Sequence, residues 1–245
     1  MLDALKRWIA GEVPGPEWRP VSEWARQRGA RFKRARENEG FVIDGLLAGR
    51  AWRLEWGPPQ RAYIEGQELR MRMELGLPQD LQMLLLSRPL METLERWTFE
   101  HYTDSMQTRI DVSTPEEMRW LAMFPKVTLA APKELKSRFA AVAASPPTAA
   151  AWIDGPLSER LAEVARGPLA AEPPLVLMTL RGRLYLRLEL AEPEVATIEA
   201  LVNLFETAAA RAAQLKADGT AGAHAWPNST ETAWQSQLQP EDPKG

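Results

Sequence analysis

Cysteine is missing from this chain altogether. That excludes disulfide frameworks, thiolate nucleophiles and cysteine metal sites. Histidine is scarce: the two copies, His101 and His224, do not have metal-ligand spacing. No Walker loop, dinucleotide glycine pattern, Asp-rich calcium loop or Gly-x-Ser-x-Gly elbow occurs. No apolar run approaches the roughly 20 residues that span a bilayer. The first fifteen residues, MLDALKRWIAGEVPG, carry charge among their apolar positions and do not read as a signal peptide. Charge of one sign is not in excess either. At a net −3, global electrostatics favour neither nucleic acid nor an anionic membrane. The expectation is a cytoplasmic protein with no cofactor and no metal.

Tryptophan is abundant, at ten copies. Trp52, Trp56, Trp97, Trp120 and Trp152 lie inside patterned segments, so core packing is the reading, against a stacking or sugar-binding platform. The stretch 41–57, FVIDGLLAGRAWRLEWG, reads as two strands joined at Ala48-Gly49. Trp52, Leu54 and Trp56 fall on one face and Arg53 and Glu55 on the other, the pattern of a half-buried strand. A one-residue slip would exchange the two tryptophans for charges, which fixes the register. Residues 61–64 are expected to begin a further strand. Leu69, Met71, Met73 and Leu75 alternate with Arg70, Arg72 and Glu74. Residues 82–87 read as a strand buried on both faces. Together these predict an antiparallel meander of about five strands.

Helices are read from periodicity and caps. Leu2, Leu5, Trp8 and Ile9 form one apolar stripe. Ser22 is expected to cap a helix ending at Gly29. Residues 90–99 fit either helix or strand, and 108–112 look extended. Thr114, Pro115, Glu116 and Glu117 open another helix. In the second half, 126–131 reads as a strand or extended link, 132–138 as a helical turn and 139–144 as a short strand. Short helices at 148–154 and 156–166 follow. Residues 175–180 and 183–190 form a second hairpin through Arg181-Gly182. Pro193 opens the longest helix, to about Ala217, whose stripe includes Ile198, Leu201, Val202 and Phe205. The fold class is α+β: an antiparallel β-meander, a second β-hairpin region and a long C-terminal helix. Two packed subdomains are expected, 1–125 and 126–217, with 218–245 a disordered tail.

The segment FAAVAASPPTAAAWIDGPLSERLAEV resembles part of a bacterial family of domains of unknown function. Phe139, Ala143, Pro146, Ala149, Glu159, Arg160 and Leu161 match its pattern, and Leu184-Tyr185 matches its later hairpin strand. Ala144-Ser145 replaces that family's acidic turn residues. The resemblance covers about residues 135–190. Some members look membrane-associated, but this chain lacks their spans. The N-terminal half is likewise similar to proteobacterial hypothetical proteins with a Trp-Arg-Leu-Glu-Trp-like strand. Both resemblances imply architecture; neither implies an activity.

Candidates for chemistry are few. His101 stands near Tyr102, Asp104 and Ser105, without the orienting partner that a general base needs. Asp44, Glu55, Glu65, Glu68 and Glu74 could converge on one sheet face. Arg50, Arg53, Arg61, Arg70 and Arg72 alternate among them, so cross-strand ion pairs explain the same residues. Arg26, Arg28, Arg31, Lys33, Arg34 and Arg36 crowd one short stretch. Acids follow closely and only Phe32 offers a ring for base stacking, so a solvated helix end and a charge-blunted edge strand are expected rather than a nucleic-acid site. No catalytic residue is assigned. The candidate interaction surface is Arg50, Arg53, Glu55, Arg70, Arg72, Trp226 and Trp234. The functional expectation is a non-catalytic protein-interaction or scaffolding module with a protein partner. Two alternatives stand beside it. One is a carboxylate-dependent enzyme on the meander face. The other is a peripheral membrane module acting through Leu2, Leu5, Trp8 and Ile9.

Overall fold

The computed structural model describes residues 18–35, 39–104 and 114–217, with backbone alone at 101–104 and 217. The stripe at Leu2, Leu5, Trp8 and Ile9, the extended stretch 108–112 and the tail 218–245 lie outside the described residues, as do Arg36, Ser105 and His224.

The alternation in 41–57 produces the expected hairpin. Strands β2 (Phe41–Leu47) and β3 (Arg50–Gly57) pair antiparallel, with Phe41 opposite Trp56 and Asp44 opposite Arg53. Ala48 and Gly49 both take positive φ, 48° and 75°. That mirror-image turn suits the right-handed twist of the strands it joins. The edge strand β1 (Arg31–Arg34) adds to β2, and β4 (Glu68–Glu74) adds to β3. Residues 61–64 are not a strand. They belong to the turn-rich β3–β4 connection and bury Tyr63 and Ile64.

The meander stops at four strands. Beyond β4 lies β8 (Arg183–Glu189), then β7 (Leu175–Leu180), β5 (Met83–Ser87) and β6 (Phe139–Ala143), and every neighbouring pair is antiparallel. The reason lies in the faces. Strand β4 alternates apolar and charged residues, and so does β8: Leu69, Met71 and Met73 stand opposite Leu188, Leu186 and Leu184, while Arg70 stands opposite Arg187. Strand β5 is buried at every position and belongs where both faces are covered, between β7 and β6. One sheet therefore runs through the expected boundary near Lys126, which itself bridges to Val142. The fold is α+β, with an eight-stranded antiparallel sheet that contains the β7–β8 hairpin.

Seven helices are described. On the first sheet face lie α1 (Arg19–Gln27), α5 (Pro146–Ile153), α6 (Pro156–Arg166) and the long α7 (Val195–Ala217). They share the larger core with Ile43, Trp52, Leu54, Leu186 and Phe205. Helix α4 (Lys133–Arg138) leads into β6 and adds Leu135 to that core. On the second face, α2 (Arg88–Asp104) and α3 (Glu116–Met123) cover only β5, β6 and β7. The ambiguous 90–99 is thus helical. Helix α1 begins three residues before Ser22, because Pro20 suits a first turn and Trp18 anchors its start against Phe41 and Trp56. Trp52, Trp120 and Trp152 are buried, and Trp152 donates its indole N–H to the Ala208 carbonyl of α7 at 2.9 Å.

Gly40 marks the tightest backbone approach. A Cβ there would stand 2.0 Å from the Trp56 carbonyl oxygen and 2.9 Å from Gly57 Cα. Both obstacles are backbone, so neither can swing aside. Gly40→Ala is expected to cost about 1–3 kcal/mol, read as a lower urea midpoint with the m-value unchanged.

Candidate interaction surface

Among the described residues, helices α2 and α3 do not cover the other half of the second sheet face, and its strands carry charge there. Two rows cross it, perpendicular to the strands. The first runs Arg31, Asp44, Arg53, Arg72 and Tyr185; the second runs Lys33, Val42, Glu55, Arg70 and Arg187. Each row holds three cations and one carboxylate. The face is therefore locally positive on a chain whose net charge is −3.

Ion pairs knit these rows together. Arg53 grips Asp44 with two hydrogen bonds, at 2.6 and 3.2 Å, and Lys33 donates to the same carboxylate at 3.2 Å. Partial burial opposes ionisation of Asp44, but the Arg53 and Lys33 hydrogen bonds outweigh it and hold the carboxyl below the usual range. The Arg53 guanidinium is correspondingly held above its ordinary value, chiefly by the Asp44 hydrogen bond. Glu55 lies 3.8 Å from Arg53 and 3.3 Å from Arg70. At the far end, Arg183 of β8 pairs with Glu74 of β4. Arg31 and Arg72 are exposed and make no ion pair among the described residues.

Two carboxylates below this surface are fully buried. Glu68 accepts from Arg187 at 2.7 Å, Arg70 at 3.1 Å and the Gln60 backbone N–H at 2.6 Å. Glu117, at the start of α3, accepts on Oε1 from the Tyr63 hydroxyl at 3.0 Å and Arg61 Nε at 3.3 Å. Its Oε2 has no partner among the described residues. Burial, reinforced by the Glu117 charge, raises the Tyr63 phenol far above its ordinary value, so it stays protonated and donates. Burial disfavours the Arg61 cation, but Glu117 and Tyr63 outweigh that and raise it.

The structure brings together Arg53, Glu55, Arg70 and Arg72 and sets Arg50 apart. Arg50 lies at the hairpin turn, where it donates to the Leu75 carbonyl at 2.7 Å. Trp226 and Trp234 lie outside the described residues, as do the side chains of His101, Tyr102 and Asp104. Asp44, Glu55, Glu68 and Glu74 do share one face, but each is engaged by arginine. Glu65 sits in the β3–β4 connection, where its N–H donates to Glu189. The cation-rich stretch disperses too. Arg28 reaches Glu199 and Glu206 on α7, Lys33 pairs with Asp44, and Arg34 stacks on Trp18. Sequence reasoning missed Glu117, Tyr63 and Arg187. Glu117 looks like an ordinary first-turn acid, and Tyr63 stands 54 residues away from it.

No protein-family model matches the chain, and no curated protein matches it. Among solved structures it is similar to the mycobacterial trehalose monomycolate transport factor A, TtfA, with a TM-score of 0.46 and 10% identity over 81% of this chain and 95% of that one. No described helix is long and apolar enough to cross a membrane.

Removing the Glu68 carboxylate strands two arginines against a buried site. Glu68→Ala is expected to cost about 3–5 kcal/mol, and Tyr63→Phe about 1–2 kcal/mol, both by urea unfolding. Asp44 gives an acid signature. Its folded-state pKa is depressed, so its contribution is present above about pH 4 and lost as pH falls further. Arg53→Met should shrink that loss, measured as Tm between pH 6 and pH 2.

Proposed function

We propose that this protein is a non-catalytic interaction module that docks an acidic segment of a partner protein on the bare half of its second sheet face. The observation that carries this is the cation surplus in the two rows, with Arg31 and Arg72 exposed and lacking ion-pair partners among the described residues. Ion pairing with neighbours leaves the other charges on the face little free affinity. A partner's carboxylates gain most from the two open guanidinium groups, each able to bind in a two-pronged fashion. The ion-paired residues around them fix orientation and reject cationic surfaces. The fate of the carboxylates supports this reading over acid–base chemistry, because Asp44, Glu55 and Glu68 each face arginine.

The test is chemical cross-linking and affinity capture from native lysate at low salt, comparing the protein with Arg31→Glu/Arg72→Glu. Both positions are exposed, so the variant should keep its Tm. A protein partner is expected whose recovery falls about tenfold in the variant and also falls as salt rises. Recovery of nucleic acid instead, or of a partner indifferent to the two charge reversals, would overturn the proposal.

A further inference from the structure

The sheet has two edges, and the chain treats them differently. Beyond β6 the segment 125–127 runs alongside. The Val127 N–H donates to the Ala141 carbonyl at 2.8 Å, the Ala143 N–H donates to the Pro125 carbonyl at 3.3 Å, and Lys126 bridges to Val142. Strand β1 is the other edge, and no strand lies beyond it among the described residues. The phase of its hydrogen bonds follows from Ala35, whose N–H donates to the Gly40 carbonyl at 2.9 Å. In an antiparallel ladder such bonds recur at every second residue. Arg31 and Lys33 therefore exchange bonds with Asp44 and Val42 of β2, while the backbone N–H and C=O groups of Phe32 and Arg34 point outward. Those of Phe32 have no partner among the described residues.

Each side of this edge has its own chemistry. On the charged face Arg31 and Lys33 are exposed at the rim, Lys33 even while it donates to Asp44. On the first face Phe32 stacks on Phe41, with ring centroids 5.3 Å apart, and Arg34 covers Trp18 at 4.9 Å. Phe32 is only half-buried, so an apolar side chain beside it would complete its cover. Charge on an edge strand ordinarily keeps other strands away. Here the charge has one sign, so it discriminates between strands. A second copy of the chain is rejected, because antiparallel pairing of β1 with itself sets Lys33 against Lys33, or Arg31 against Lys33. A strand that alternates acidic and apolar residues fits both sides: acids opposite Arg31 and Lys33, an apolar residue opposite Phe32.

We infer that β1 is a docking edge for an extended segment of a partner protein with the pattern acid-apolar-acid, which adds to the sheet as a further antiparallel strand. Its backbone bonds to Phe32 and Arg34, its acids meet Arg31 and Lys33, and its apolar residue covers Phe32. Main-chain bonds supply the affinity of such strand addition, and alternate side chains supply its specificity. The edge does not rest on the function proposed for the neighbouring face, whose second open cation, Arg72, lies three strands further in.

The test uses the full chain and a dye-labelled peptide, Glu-Val-Glu-Val-Glu-Val-Glu, followed by fluorescence anisotropy and amide hydrogen exchange at low salt. Saturable binding is expected, with exchange of the Phe32 N–H slowed about tenfold or more. The Lys33 N–H, already bonded inside the sheet, should change little. In the docked strand the valine N–H groups face β1 and the glutamate N–H groups face away. N-methylation of the valines should therefore weaken binding about tenfold or more, and N-methylation of the glutamates should not. Arg72→Glu should leave the affinity within about twofold. Binding that is lost in Arg72→Glu and indifferent to valine methylation would put the peptide on the charged face, overturning the edge inference and leaving the face reading intact. Absence of binding, or binding with the Phe32 N–H exchanging as before, also overturns the edge inference and does not bear on the face.

Discussion

The pairing of β4 with β8 makes one sheet out of a chain that its sequence divides in two. Residues 68–74 and 183–189 are far apart in sequence, and closing so long a loop is entropically costly. Three apolar pairs on one face of that ladder repay the closure by burial: Leu69 with Leu188, Met71 with Leu186 and Met73 with Leu184. On the other face the same ladder places Arg70 opposite Arg187, two like charges that repel unless an anion stands between them. Glu68 is that anion. It reaches both guanidinium groups and is itself sealed from water. The central seam of the sheet is therefore apolar on one side and, on the other, joined by carboxylates: Glu68 bridges Arg70 and Arg187, and Glu74 pairs with Arg183.

That seam also explains why the second face is only half covered. Arg70 and Arg187 are already largely buried, and packing a helix over the rows would also strip water from Arg53 and Arg72, leaving four desolvated guanidinium groups that three carboxylates would not compensate. Across β7, β5 and β6 the corresponding positions are Met178, Val176, Leu84, Leu86, Val142 and Ala140. There α2 and α3 gain apolar burial at no electrostatic cost. The edge of the helical layer falls where the row chemistry changes, between β8 and β7. Tyr185 and Arg187 stand on one side of that line, and the buried loop residues Tyr63 and Ile64 plug the junction.

The sequence made the strands legible but not their neighbours. Alternation in β3, β4 and β8 identifies a half-buried strand and which side faces the core, because period two is a local property. It does not say which half-buried strand lies alongside, since Leu-x-Leu-x-Leu matches any partner with the same spacing. Strand β5 was readable as buried on both faces, and that property is what moves it out of the meander. Of the candidate surface, Arg53, Glu55, Arg70 and Arg72 were readable because two adjacent meander strands must share a face. Arg50 was separable from them by the same alternation: it precedes Arg53 by three residues, an odd step that points it to the other side at the turn. Glu117 and Tyr63 were out of reach, because a first-turn helix acid and a loop tyrosine meet only once α3 is laid over the sheet.

A face built this way favours selectivity over tight binding. Most of its charges already have partners of opposite sign, so a docking protein exchanges ion pairs instead of creating them, and the net gain is small. What remains unmatched is positional. Arg31 is on the edge strand and Arg72 is three strands in, with Asp44 and Arg53 between them. At the usual spacing of about 4.8 Å per strand, the two open guanidinium groups start about 14 Å apart. A ligand that satisfies both must carry carboxylates at that separation, and an extended acidic peptide does so between side chains four residues apart on one face, at about 3.4 Å per residue. Small anions meet only one of the two. On the function proposed for this face, the spacing of the unpaired charges, more than their number, would favour a polymer with regularly placed acids over a free metabolite.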